Sequence, residues 1–279
     1  MAALAKNDLI RKVQRGETLF RMDLKNMNLE NAMLKGAILR ECSFNNSCMN
    51  GINLDCAILD KCDFTDCELR ESSFQEASLV ECDFREASLK NSNFIEANLR
   101  EARLFQTEMS QCNLDGTIMI KIQAHLADFT NSSFFGSNMS EASMLLCDFT
   151  ACDADTLTAT DADFSGSIFN GTKMDRAKLE NSNFTYCEFA SSMLRGCHAP
   201  KANFFKATFI NTYLTKTNLE QARFMRANLK KSFLAAAHLG EANLIEASFS
   251  HCRFDSAIMT GVIETGTSYE QVIFKDVKR

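Results

Sequence analysis

The chain has 279 residues, a net charge of −6, one proline, no tryptophan, and 23 phenylalanines beside three tyrosines. One proline where about 5% is usual argues against a loop-rich fold, an interdomain linker or a disordered tail. Twelve cysteines are about 4% of the chain, below the ~8–10% of a disulfide scaffold.

In chain order, residues 1–16 read as a short helical cap. Leu9, Ile10 and Val13 share a face, Asn7 or Asp8 is expected as N-cap, and Gly16 as stop. Lys6, Asp8, Arg11, Lys12 and Arg15 interrupt this segment, so it does not read as a signal peptide. No run approaches ~18 apolar residues, so no membrane span is expected. A soluble, reducing cytoplasm is the expected location, with export without a cleaved signal left open.

From Leu19 to Met259 every fifth residue is large and apolar or Ala: 49 positions holding 21 Leu, 17 Phe, 7 Met and 4 Ala, without a break in phase. Two residues before each centre stands a small residue, as at Ala32, Cys42, Ser72 and Ala97, and just before it often Asn, Asp or Ser. A period of five fits neither the helix at 3.6 nor the strand at 2.0. Each unit is therefore one short extended side and one bend, with the centre and the small residue facing in. Such a unit cannot bury its apolar face alone, whereas stacked coils can. Residues 262–279, with Val262, Tyr269, Val272 and Phe274, keep the phase loosely. They are expected as a last partial coil or capping segment that offers a dimer element.

Runs such as Ala87-Ser88-Leu89-Lys90-Asn91, Ala97-Asn98-Leu99-Arg100-Glu101 and Ala227-Asn228-Leu229-Lys230-Lys231 resemble the pentapeptide-repeat family, whose consensus is A(D/N)LXX. The resemblance covers roughly residues 17–261. It implies an all-β fold, a right-handed, quadrilateral parallel β-helix with four units per coil and about twelve coils. With twenty residues per coil, one core column runs Leu24, Phe44, Phe64, Phe84, Leu104, Ala124, Met144, Phe164, Phe184, Phe204, Phe224, Leu244, and another Phe129, Phe149, Phe169, Phe189, Phe209. A stacked Phe shaft accounts for the aromatic bias, because a Trp N–H or Tyr O–H would be stranded inside it. The Ala centres look compensated: Ala124 by Ile122, Ala154 and Ala159 by Leu157.

Ten cysteines (42, 62, 67, 82, 112, 147, 152, 187, 197 and 252) fall in the small inward slot, and only Cys48 and Cys56 lie outside it. They read as small filler rather than as a metal or redox ladder, and no CxxC is present. Asp153, Asp155, Asp161 and Asp163 superficially resemble a cation loop but lack the Gly and Glu it needs, and they fall on different sides. His125, His198, His238 and His251 assemble no nucleophile–base–orienter set. No enzyme, metal or cofactor is expected.

The outward positions carry more information. Met193, Tyr213 and Phe233 stack just before their centres, and Phe205, Met225 and Ile245 just after theirs on the opposite side. Consecutive exposed apolars make a patch, and patches mark interaction sites. Lys206, Arg223, Arg226, Lys230 and Lys231 lie near the second ladder. Charge is uneven along the chain: net +4 over residues 1–40, −15 over 41–165 and +5 over 166–279. The expected function is a non-enzymatic scaffold or adaptor presenting faces to a protein partner, of the bacterial secretion-associated or regulatory kind, with a homodimer through the C-terminal coils as a further partner. Direct binding of nucleic acid is not expected in a net-acidic chain. The alternative implied by the resemblance is a DNA-mimic, gyrase-binding protein of the quinolone-protection type. It draws on the acidic 41–165 segment. The spread of that acid over all faces, the unbroken phase that leaves no projecting loops, and the basic last third speak against it.

Overall fold

The computed structural model describes residues 5–279. They fall into two compact units, the first ending at Asn138 and the second running from Met139 to Arg279. Each is a parallel β-solenoid in which a residue pairs with the one twenty later.

The first unit opens with α1 (Lys6–Gln14). Its N-cap is Ala5, not Asn7 or Asp8: the Ala5 backbone is extended and its carbonyl accepts from the N–H groups of Asp8 and Leu9. Asp8 lies inside the first turn, where its charge suits the helix N-terminus. Gly16 closes the helix at φ +71°, with Gly16 N–H donating to Val13 and Glu17 N–H to Lys12, the Schellman pattern. Leu9 is buried, while Ile10 and Val13 are only half-buried.

Strands β1 (Thr18–Phe20) and β2 (Ile38–Arg40) pair in parallel, and single-residue bridges extend the register through Ile118–Asn138. The second unit repeats the pattern on a five-stranded parallel sheet: β3 (Glu188–Ala190), β4 (Thr208–Ile210), β5 (Asn228–Lys230), β6 (Ser248–Ser250) and β7 (Ser268–Glu270). All 49 expected centres are buried. Pairing continues to Lys278, through Asn243–Ile263, Arg253–Ile273 and Ile258–Lys278. The turns therefore number about thirteen, the expected twelve and a last one formed by the C-terminal segment. Glu264 disguises the last one, since it stands at a centre position and accepts a 2.7 Å bond from the Tyr269 hydroxyl.

Three local devices make each side. The carbonyl of the centre accepts from the N–H three residues on, as in Leu29–Ala32 and Phe94–Ala97, both at 2.9 Å. The third residue of that turn is left-handed, with φ of +50 to +62° at non-glycine positions such as Asn31, Glu71, Glu86 and Lys231. A positive φ there marks the type II turn. The Asn or Asp before a centre accepts from the backbone N–H two residues on, as Asp63 does from Thr65 and Asn98 from Arg100. These Asx turns are the physical reason for the D/N of the repeat.

The cores differ between the units. In the first, Phe44, Phe64 and Phe84 stack at 5.1 and 4.9 Å, and Phe74 on Phe94 at 4.8 Å on the facing side. Phe64 and Phe74 meet edge-on at 84°. In the second, the stacks occupy adjacent sides: Phe164, Phe184, Phe204 and Phe224 on one, Phe149, Phe169, Phe189 and Phe209 on the next. Edge contacts such as Phe164–Phe169 at 5.5 Å lock the two columns together. Both geometries are those aromatic quadrupoles favour. Ile122 and Leu157 are buried beside their Ala centres, so the exchange of large and small residues keeps both layers filled.

Candidate functional site

In the second unit the chain runs from the corner at Phe205-Lys206 through β4 to the corner at Ile210-Asn211 and on to Tyr213. The next turn repeats this with Met225-Arg226, β5, Lys230-Lys231 and Phe233. The two apolar ladders, on opposite sides of the coil, thus frame one face: the outer surface of β3–β7. Each strand turns its middle residue inward and its ends outward.

On one margin Tyr213 and Phe233 stack face to face, 5.0 Å apart and 8° from parallel, with Met193 paired below Tyr213. Arg195 caps this end, held by Asp175 at 2.8 Å and touching the Met193 sulfur at 3.6 Å. On the other margin Phe205, Met225 and Ile245 are half-buried rather than fully exposed. Tyr186, which sequence reading missed, is the prominent residue there at 55% exposure. It meets Phe205 edge-on at 5.9 Å, and the Lys206 ammonium lies 5.1 and 5.4 Å from the two ring centroids while donating to the Tyr186 hydroxyl. Tyr186 occupies the left-handed corner position, two after its centre, a phase in which side chains are most exposed. Leu146 occupies the same phase, and its Cδ2 fills the space 2.6 Å from where a Cβ would stand on Gly166, which has φ +72°.

The cations do not act as one group. Arg226 is tied to Glu246 at 2.6 Å. Arg223 stands exposed before its centre, and Lys230, the last residue of β5, shares the far corner with Lys231. Among the described residues Lys206, Arg223, Lys230 and Lys231 have no carboxylate partner.

The remaining candidates hold structural posts. Cys62, Cys67, Cys112, Cys187 and Cys197 each donate to the carbonyl of the centre one turn earlier, at 2.8–3.1 Å. Ser92 and Ser132 do the same from the same slot. Burial pushes the Cys67, Cys112 and Cys197 thiols up to about 12, so they stay protonated as donors. Among the described residues no group of three His, Cys, Asp or Glu could hold a metal ion. Asp153 pairs with Lys173, and Asp155 accepts from the Asp175 backbone. His198 faces Asn218 at 3.3 Å, and His125 stacks on Phe105. The Ser250 hydroxyl lies 2.8 Å from His251 Nδ1 and 3.1 Å from a Glu270 oxygen. That carboxylate contacts the hydroxyl rather than the far imidazole nitrogen, so it cannot orient the ring as a triad acid does.

In the first unit a depression of about 530 Å³ is lined by Lys61, Glu81, Glu101, Arg103, Lys121 and Gln123. It is an open, mixed-charge groove in which Lys61 and Glu81 pair at 3.4 Å. Eight acids of this unit stand at left-handed corners, with Asp66, Glu71, Glu76 and Glu81 on four successive sides. Among the described residues no helix is long and apolar enough to cross a membrane.

Similar solved structures include HetL, a pentapeptide repeat protein involved in heterocyst differentiation regulation from the cyanobacterium Nostoc sp. strain PCC 7120, 21% identical over 98% of this chain and 93% of its own, with a TM-score of 0.23. Full-length QnrB1, a plasmid-mediated fluoroquinolone resistance protein, is 18% identical over 88% of this chain and 92% of its own, TM-score 0.26. A pentapeptide repeat protein from the Arabidopsis thaliana thylakoid lumen is 25% identical over 35% of this chain and 68% of its own, TM-score 0.35. A search of the curated proteins found no match. The model of the pentapeptide repeat region matches residues 17–94 and 37–110, and that of eight-copy pentapeptide repeats matches overlapping segments from 147 to 261. With most of its length matched in this way, the chain belongs to the pentapeptide repeat family.

Proposed function

We propose that this protein is a non-enzymatic scaffold whose second unit presents the outer face of β3–β7 to a protein partner. The observation that carries the reading is the parallel Tyr213–Phe233 stack on the outer surface, matched across the sheet by Tyr186 and Phe205. Aromatic side chains in register, with Lys206, Lys230 and Lys231 beside them, make the kind of patch that anchors a partner. The five-residue phase fixes these side chains on a rigid lattice, so binding orders little of the scaffold. Affinity capture from cells that make the protein tests it: a partner retained by the wild type should be lost from a Tyr213→Ser/Phe233→Ser double variant of unchanged thermal stability. Equal retention by both would remove the frame as the site.

The DNA-mimic reading has less support. The acids of the first unit are spread over its corners and several are neutralised, as in Arg21–Glu41 at 2.7 Å and Arg85–Asp83 at 2.7 Å. Purified protein is expected to leave gyrase supercoiling and its quinolone inhibition unchanged.

A second copy meeting this one through residues 262–279 is a further part of the proposal. Its support is Phe274, which stands at a centre position yet keeps 37% of its surface exposed. Sedimentation velocity on the wild type and a Phe274→Ser variant should show a dimer only in the former.

A further inference from the structure

The frame reading leaves the chemistry of the partner open, and the charge around it narrows that chemistry. Residues 186–231, which reach from one margin to the other, hold eight Lys or Arg and two acids, Glu188 and Glu220, a net +6 that leaves −7 for the rest of the second unit. These residues span about two turns, roughly 10 Å along the ladder direction. That is close to the ~8–10 Å Debye length at physiological salt. A ligand that fits within the band therefore feels attraction, while one that runs past it meets repulsion.

The cations are also interleaved with apolar side chains. Lys206 leans on Tyr186 and Phe205, and Lys230 ends β5 with Lys231 after it, two residues before Phe233. A ligand matching this pattern alternates negative groups with apolar ones. A nucleic-acid duplex offers long lines of phosphate, no apolar side chains, and a length that carries it into the acidic remainder.

We infer that the occupant of the β3–β7 face is a short acidic protein segment, with apolar side chains between its carboxylates, seated between the Tyr186–Phe205 and Tyr213–Phe233 margins. This rests on the frame reading of the preceding section.

The test is selection of random peptides of about 15 residues displayed on phage against the full-length protein. Selected peptides are then synthesised and titrated by fluorescence anisotropy. A ring variant (Tyr213→Ser, Phe233→Ser) and a charge variant (Lys206→Gln, Arg223→Gln, Lys230→Gln, Lys231→Gln) are titrated beside the wild type, each shown to keep the wild-type melting temperature. The inference predicts peptides of clear net negative charge with apolar anchors, weakened about tenfold or more in either variant and about tenfold between 0.1 and 0.5 M salt. Peptides that need the rings but carry no net negative charge would overturn the acidic occupant and leave the frame standing. Peptides bound equally by the ring variant would remove the frame itself. A duplex oligonucleotide bound more tightly than the peptides, and lost in the charge variant, would replace the protein segment with nucleic acid.

Discussion

The Cys112 thiol donates to the carbonyl of Leu89, 23 residues earlier in the chain, at 3.1 Å. That carbonyl already accepts from the Ser92 N–H of its own turn, so the thiol satisfies its second lone pair. Ser132 likewise donates to the Met109 carbonyl at 2.8 Å, and its oxygen accepts from the Cys112 N–H at 3.0 Å. The small slot therefore selects for size, as Ala32 and Ala97 show, and cysteine or serine there adds a donor. Cys112→Ser should leave stability within about 0.5 kcal/mol. Cys112→Ala should cost about 0.5–1.5 kcal/mol for the lost bond, and Cys112→Val about 1–3 kcal/mol through overpacking. Urea unfolding checks the order; a serine variant weaker than the valine one would contradict it.

The buried thiols also set an alkaline limit. Their folded values, pushed up to about 12 for Cys67, Cys112 and Cys197, lie above the ordinary thiol value near 9. A group raised on folding contributes its stability in full below the unfolded value and loses it as pH rises toward the folded one. Thermal stability should therefore fall between about pH 9 and 12, and a Cys67→Ser/Cys112→Ser/Cys197→Ser variant should fall less steeply. Parallel profiles for the two proteins would contradict the assignment.

Adjacent residues on one side separate core from surface. Phe204 is sealed between Phe184 and Phe224, whereas Phe205 lies half-buried at the corner beside Tyr186. Phe204→Ser should cost about 3–5 kcal/mol or more, from the cavity and the stranded hydroxyl, and Phe205→Ser under about 1 kcal/mol. Equal losses in chemical denaturation would break the register.

How much of this was legible follows from what a five-residue phase can and cannot encode. The inward lattice was plain because each centre repeats its environment, and Leu19 through Met259 all proved buried. The last turn was read only as a partial coil or capping segment because Glu264 sits where an apolar centre belongs, its carboxylate satisfied by Tyr269. The two apolar ladders were read in the phases next to the centre, which found Tyr213 and Phe205. Tyr186 was missed because it stands at the left-handed corner, a phase whose usual occupants are polar. The signal was present: ten of the eleven glycines fall in that phase with positive φ, marking it as the corner whose side chains project outward.

The corner also carries a stability prediction. Glu86 has φ +60°, a conformation that costs an ordinary L-residue roughly 1–2 kcal/mol and that asparagine tolerates. Glu86→Asn should raise stability by about 0.5–1 kcal/mol, and Glu86→Val should lower it by more than about 1 kcal/mol. A calorimetric melting series gives the order directly, and a valine variant as stable as the asparagine one would contradict the corner geometry.

Photo-crosslinking tests the central claim most directly. A benzoyl-phenylalanine is placed at Tyr213, on the margin of the β3–β7 face, and in a separate protein at Arg100 in the first unit, and both are irradiated in cells that make the protein. The account predicts a discrete protein adduct from position 213 that disappears when Phe233→Ser is added, and none from position 100. Equal adducts from both positions, or an adduct at 213 indifferent to Phe233→Ser, would contradict it.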